Sequence, residues 1–262
     1  MNKKVNAVKV ENGSVIEIED EVAVEKKLKI YLNDKFIANL TISPGYEKEL
    51  GMGFCVGEGF IDAGSIKDAC ADENSVKVYT DDKNFEFKFE LYLSSDCMAG
   101  FRPKKITKGD EPYDVTVSDV SVPPSLTVDS GKIFQGMREL QKKAVMWKKT
   151  GGFHIAGLMH GDDFNDIIVV EDISRHTAAD KVIGIGITKG LDFGKCVLLT
   201  SGRIPGDIVV KLARVGIPVA VTRTSVIDSG IKVAENTGVT LIGFARGNRM
   251  NVYTHKERII IY

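Results

Sequence analysis

The run 196-CVLLTSGRIPGDIVVKLARVGIPVAVT-222 reads as a strand, a polar turn, a helix over 206–215 and a second strand. Its ends, 196-CVLLT-200 and 217-IPVAVT-222, are short apolar segments, and their spacing leaves room for one crossover helix. Working outward, the same alternation continues on both sides. Toward the C-terminus come a helix over 225–237, a strand 239-VTLIGF-244, and a last strand pair near 251-NVYT-254 and 258-RIIIY-262. Toward the N-terminus come a helix from Ser174 to about Lys189 and strands 167-IIVVE-171 and 153-FHIAGLM-159. Before them lies an amphipathic helix over 129–149, with Ile133, Met137, Leu140 and Ala144 on one face. Strands alternating with helices predict an α/β layer around a mostly parallel sheet.

The first half has a different grain. Residues 14–42 alternate as strands with a turn at Asn33-Asp34, and Ser43-Pro44-Gly45 opens a helix over 46–61 that Ser43 can cap. Glu47 and Glu49 suit the positive end of that helix, and its glycines at 51, 53, 57 and 59 predict tight packing or a close backbone approach. Residues 75–93 predict a hairpin turning through Asp81 to Asn84. The stretch 94–125 predicts a long loop with one short strand, closing at a domain boundary near 123–128. The expected organisation is a smaller α+β domain over 1–125 and an α/β domain over 126–262.

A net charge of −1 supplies no global field to recruit nucleic acid. The longest apolar runs, such as 182-VIGIGIT-188, are too short to span a membrane, and MNKKVNAVKVENGS lacks the apolar core of a secretory signal. The cytoplasm is the expected compartment. Seven of the nine arginines fall within 150–262, which hints at a planar anionic ligand there, although chance placement on the surface gives the same count. The four cysteines, Cys55, Cys70, Cys97 and Cys196, form no C-x-x-C pair, which argues against a disulfide framework and a structural zinc site.

Four blocks at strand ends and one loop cysteine could carry chemistry. In 150-TGGFHIAG-157, Gly151 and Gly152 would let the backbone approach a ligand beside His154. In 171-EDISRHTAADKVIG-184, Ser174 can cap a helix whose first turn presents Arg175 and His176, and Asp180 lies one turn on, where it could share a proton with His176. The first turn is expected outside the core, because apolar residues resume only at Val182. In 200-TSGRIPGD-207, Ser201, Gly202 and Arg203 form a short polar loop suited to phosphate. In 244-FARGNRMNVYT-254, Phe244 can stack on a ring while Arg246 and Arg249 grip charge, with Ala245, Gly247 and Asn248 between them. Taken singly, each block is equally a glycine turn, a solvated helix face or a basic loop. Cys97 stands among Arg102, Lys104 and Lys105, neighbours that lower a thiol's pKa from about 8.5. Cys55, Cys70 and Cys196 sit in apolar patterns and read as packing residues.

Together with 53-GFCVGEGFI-61, these blocks resemble, in order and spacing, the FdhD family. The resemblance implies a C-terminal domain of cytidine-deaminase-like α/β/α fold, a smaller α+β N-terminal domain, and a homodimer. It implies transfer of a persulfide from a cysteine desulfurase to a loop cysteine, here Cys97, and then to the molybdenum of bis-molybdopterin guanine dinucleotide. The client would be formate dehydrogenase or a related molybdenum or tungsten enzyme. The guanine-dinucleotide segment falls on Phe244 to Arg249, with GDP as a possible surrogate ligand. Two positions depart from the family pattern: Gly100 stands where the family loop carries a second cysteine, and 174-SRHT-177 replaces the common G-R-H-N. The first departure leaves open a cofactor-binding chaperone without sulfur transfer. A zinc deaminase is excluded on ligands, because Ile155 and Ala156 follow His154 where H-x-E is required.

Overall fold

The computed structural model of the chain describes residues 1–82, 87–93, 99–105, 120–124, 126–161 and 164–261. It begins with a two-stranded ribbon, β1 (Asn2–Glu11) and β2 (Ser14–Ala23), closed by Asn12 and Gly13, both at positive φ. Asn-Gly at such a turn matches the right-handed twist of the flanking strands. β3 (Lys26–Leu32) and β4 (Lys35–Ile42) form the expected hairpin through Asn33 and Asp34. β3 buries Leu28, Ile30 and Leu32 and turns Lys27 and Lys29 outward, the period of a sheet with one wet face. α1 (Glu47–Gly57) lies on the dry face and contributes Leu50, Phe54 and Cys55 to that core.

β5 (Ile66–Ala71) and β6 (Ser75–Thr80) complete a four-stranded sheet in the order β4-β3-β6-β5. This overturns the 75–93 hairpin. β6 is bonded to β3 on one side and β5 on the other, so neither edge is left for the next strand. That strand, β7 (Phe87–Leu93), pairs instead with β8 (Ala99–Lys105). The cap on α1 also differs: Tyr46 occupies it in the left-handed region, without a side-chain bond, and Ser43 is buried elsewhere. Cys97 lies outside the described residues.

The second half starts with β9 (Val128–Asp129) and α2 (Ser130–Lys143), which Asp129 caps through the N–H groups of Gly131 and Lys132. The helix expected over 129–149 is two helices, since α3 (Met146–Thr150) starts afresh with its own N-terminus. Then follow β10 (His154–His160), β11 (Asp166–Asp172), α4 (Arg175–Thr188), β12 (Val197–Thr200), α5 (Gly206–Val215) and β13 (Val219–Thr222). α6 (Asp228–Thr237), β14 (Thr240–Arg246), β15 (Arg249–Val252) and β16 (Ile259–Ile260) complete the chain. The central sheet runs β11-β10-β12-β13-β14-β15. It is mixed, not mostly parallel: only β12–β13 and β13–β14 are parallel. The physical reason is loop length. β10 and β11 are joined by a short connection that permits only an antiparallel return. The expected terminal strand pair also separates, because β15 joins β14 while β16 pairs with β9.

Alternate side chains of this sheet feed two cores. Ala156, Leu158, Leu198, Ala220 and Leu241 pack with α4, α5 and α6, while Ile155, Met159, Val197, Leu199, Val221 and Ile242 pack with Ile133, Met137 and Leu140 of α2. The result is an α/β/α stack. Among the described residues no helix is long and apolar enough to cross a membrane.

α1 crosses α4 and joins the two sheets. A Cβ on Gly53 would fall onto the Asp180 carbonyl, and one on Gly184 onto the Glu49 carbonyl. The backbones therefore touch, which only glycine allows. Around this joint lie two buried lysines, each paired with carboxylates. Lys181 Nζ meets Asp172 Oδ2 at 2.7 Å, with both side chains fully buried. Lys211 Nζ meets Asp180 at 2.7 and 2.9 Å and Glu58 at 2.9 Å. Burial works against the Lys211 charge, but Asp180 and Glu58 outweigh it and hold its pKa above the usual lysine range.

Either Gly53→Ala or Gly184→Ala is expected to lower unfolding free energy by about 1–3 kcal/mol or more, the cost of overpacking. Gly64→Ala, whose Cβ would meet open space, should change little. Urea unfolding of the three variants checks this, and equal stability of all three contradicts the joint.

Candidate functional site

A cleft of about 430 Å³ opens at one edge of the central sheet, lined by Trp147, Gly151, Gly152, Phe153, His154, Ile173, Ser201, Arg223, Thr224 and Arg246. Its placement follows from topology. Ser201 follows the carboxyl end of β12, Arg223 and Thr224 follow β13, and Arg246 ends β14. Carboxyl ends of parallel strands face the same way, and the antiparallel β10 brings its first residue, His154, to that edge.

Short hydroxyl side chains tie the loops down. The Ile155 N–H donates to Ser201 Oγ at 3.0 Å, and Thr200 Oγ1 donates to the Ile155 carbonyl at 3.2 Å while accepting from the Gly202 N–H at 3.1 Å. Thr222 Oγ1 donates to the Gly202 carbonyl, and Thr224 Oγ1 to that of Ser201 at 3.3 Å. Gly202 is needed for its lack of a side chain, since a Cβ there would sit 2.9 Å from Arg175 Cβ and 3.3 Å from His154 Nδ1. On the far wall, Arg246 Nε donates to the Arg223 carbonyl at 2.8 Å, and the Arg223 guanidinium lies 5.9 Å from the centroid of the Trp147 ring.

The electrostatics favour an anion. Among the described residues, no carboxylate forms an ion pair with Arg203, Arg223 or Arg246. Burial, reinforced by His176 and by the positive Arg203, pushes the His154 pKa below its ordinary value. The imidazole is therefore neutral near pH 7 and able both to donate and to accept.

The structure brings Gly151, Gly152, His154, Ser201 and Arg246 to the cleft, with Gly202 and Arg203 in the loop that follows Ser201. Other expected residues lie elsewhere. Ser174 makes no side-chain cap, and the Asp172 carboxylate accepts its N–H at 3.0 Å. Arg175, His176 and Asp180 are buried, contrary to the reading of that turn as non-core, because α1 and α5 cover a helix with too few apolar residues to announce it. His176 Nε2 faces Asp207 Oδ2 at 3.0 Å and not Asp180, which is committed to Lys211. Ala245 is fully buried in the core beneath the sheet. Phe244 is exposed at φ 52, with its N–H donating to the Thr224 carbonyl at 2.7 Å, and it does not line the cleft. Gly247 and Asn248 turn the β14–β15 hairpin, and Arg249 is exposed on its return strand.

Sequence reasoning missed Trp147, Phe153, Ile173, Arg223 and Thr224 as cleft residues. The signal for Arg223 was available, since it ends an apolar strand just as Ser201 does. Of the other cysteines, Cys55 is buried with its thiol pKa pushed far up by burial, and burial pushes Cys196 up to about 12. Cys70 is exposed on the edge strand β5, contrary to its reading as a packing residue.

An α/β/α stack with a cationic, glycine-edged cleft at the carboxyl ends of its strands has the architecture in which open α/β sheets place their ligands. Residues 23–260 match the model of the FdhD/NarQ family, and the chain belongs to that family. It is 35% identical over 246 residues to a sulfur carrier protein FdhD of Methanothermobacter thermautotrophicus, covering 93% of each chain. It is 31% identical to a sulfur carrier protein FdhD of Wolinella succinogenes, covering 98% of this chain and 89% of that one. A solved structure from Desulfotalea psychrophila, assigned as a formate dehydrogenase accessory protein, superposes with a TM-score of 0.80 at 25% identity over 99% of both chains.

With a folded-state His154 pKa below ~6.5, the unfolded chain takes up the proton first as pH falls. Stability tied to neutral His154 is present above that value and is lost progressively beneath it. Melting temperatures between about pH 7.5 and 5.5 should fall less steeply in His154→Gln than in the wild type. Identical slopes contradict the assignment.

Proposed function

We propose that this chain carries sulfur as a persulfide on Cys97 and holds the guanine end of bis-molybdopterin guanine dinucleotide in the cleft, in the service of formate dehydrogenase or a related molybdenum or tungsten enzyme. One observation carries the reading. The chain belongs to a family whose relatives are named sulfur carriers, and its cleft gathers two glycines, a neutral histidine and two arginines that no carboxylate among the described residues neutralises. A pocket near 430 Å³ is in the range that encloses a ligand of nucleotide size. Arg223 and Arg246 would take the diphosphate through planar forks, and Gly151 and Gly152 would let it approach the backbone. In this reading residues 126–262 form a cytidine-deaminase-like cofactor unit, residues 1–125 supply the sulfur-bearing arm, and the working form is a cytoplasmic homodimer.

The chemistry needs a reactive thiolate, and burial removes Cys55 and Cys196 from contention. The Cys97 thiolate attacks the terminal sulfur of a cysteine desulfurase persulfide. A new S–S bond forms, the donor's S–S bond breaks, and the donor cysteine leaves as its thiolate. Passing that sulfur on as a metal-bound sulfide consumes two electrons and frees the Cys97 thiolate. A neighbouring thiol could supply them by forming a disulfide, but position 100 is glycine here. The reduced metal centre of the substrate, or an added thiol, must supply them instead. The same glycine favours a second reading, a cofactor-binding chaperone without sulfur transfer.

Incubation with a cysteine desulfurase and cysteine should add one sulfur to Cys97 by mass spectrometry, and Cys70→Ser should leave that adduct intact. Loss of formate dehydrogenase activation in cells carrying Cys97→Ala supports the carrier; retained activation selects the chaperone. The cleft is tested separately. Arg246→Ala should weaken GDP binding by about 1–3 kcal/mol, the worth of a charged hydrogen bond, while Arg249→Ala, on the hairpin outside the cleft, should weaken it less. Unchanged binding in Arg246→Ala moves the nucleotide elsewhere.

A further inference from the structure

Trp147 is the only tryptophan in the chain, and it forms one wall of the cleft. It stands on α3, a helix of five residues, far too short to persist on its own propensity. The fold clamps that helix at both ends. At its start the Glu171 carboxylate accepts three N–H groups, those of Val145 at 2.9 Å, Met146 at 3.0 Å and Trp147 at 2.6 Å. At its end Gly151 turns into the left-handed region and donates its N–H to the Trp147 carbonyl at 2.9 Å. Thr150 Oγ1 adds a bond to the Met146 carbonyl at 2.9 Å. A carboxylate on β11 is thus spent entirely on fixing a short helix whose one large side chain is an indole at the cleft.

Across from the indole, the Arg223 guanidinium stands 5.9 Å from the ring centroid. Its own main chain is fixed: the N–H donates to the Thr200 carbonyl at 3.0 Å and the carbonyl accepts Arg246 Nε. An indole face beside a guanidinium plane is a surface on which a flat heterocycle stacks, with the guanidinium free to turn toward phosphate. Part of the indole packs against the core on the α2 side of the sheet, and the triple clamp sets the remainder at the cleft wall.

We infer that Trp147 is the platform for a purine-type base in the cleft, with Arg223 swung off the indole to the phosphates, and that Glu171 is the positioning residue that holds the platform. This rests on the cleft reading above and adds which residues recognise the base. It predicts that base and phosphate recognition can be separated by mutation.

The test uses the full-length chain with two probes, GDP and inorganic pyrophosphate, titrated calorimetrically, with the single tryptophan's fluorescence as a second readout. For the wild type, GDP should bind and quench the emission, and pyrophosphate should bind more weakly. Trp147→Ala should weaken GDP by about tenfold or more while leaving pyrophosphate unchanged, and Trp147→Phe should recover most of the loss. Glu171→Gln, which keeps the shape and removes the charge, should shift the emission to the red and weaken GDP but not pyrophosphate. Undiminished GDP binding in Trp147→Ala overturns the inference alone, as does an equal loss of both probes, which would make Trp147 a general support of the site. Wild-type binding of pyrophosphate without GDP likewise removes the base platform and spares the anion cleft. A wild type that binds neither probe overturns the cleft reading and the inference together.

Discussion

The Asp172–Lys181 pair is the interaction on which the other parts of this molecule rest. Both groups are fully removed from water, a costly state that only close pairing and further hydrogen bonds can offset. Here they are supplied. Asp172 also accepts the N–H groups of Ser43 at 3.1 Å and Ser174 at 3.0 Å, and Lys181 also donates to the Ser43 carbonyl at 2.8 Å. One carboxylate therefore ties the end of β11, the start of α4 and the segment leading into α1. Loss of either partner would strand a charge at the junction of both sheets.

The neighbouring residue shows how a strand end can serve two layers. Side chains alternate across a sheet, so Glu171 and Asp172 point to opposite faces. Asp172 goes to the α4 side, where it joins the four-stranded sheet to the six-stranded one. Glu171 goes to the α2–α3 side, where it seats the helix that borders the cleft. Cleft shape and the α1–α4 joint thus share two consecutive residues of one strand.

How far the sequence could be read follows from what each element buries. The strands 196–200 and 217–222 and the helix between them were legible because each puts a plain apolar run or stripe against the core. α4 was legible as a helix, yet its exposure was misjudged: Arg175, His176, Asp180 and Lys181 are polar and buried, and the last three pair with Asp207, Lys211 and the Ser43 carbonyl, groups far along the chain that no local pattern reveals. Strand pairing was illegible for the same reason, since the partner of β6 is chosen by β3 and β5 and not by its own residues. At the site, the glycine pair, His154, Ser201 and Arg246 stood out through local motifs. Trp147 did not, because its role depends on Glu171, distant in sequence, breaking one helix into two.

The first ribbon carries a consequence of a different kind. Among the described residues β1 and β2 pair only with each other over ten residues each, so no described strand covers either outer edge, and Val8, Val10 and Val15 are more than half exposed near the tip. Such an edge is a template on which further chains can add as strands. What restrains it is the lysine and glutamate population along its length, with Lys4 and Glu19 paired at 2.6 Å across the strands. The margin against fibrous self-association in this protein is therefore set by a handful of solvated charges on its first two dozen residues, and it narrows as salt or acid screens or neutralises them.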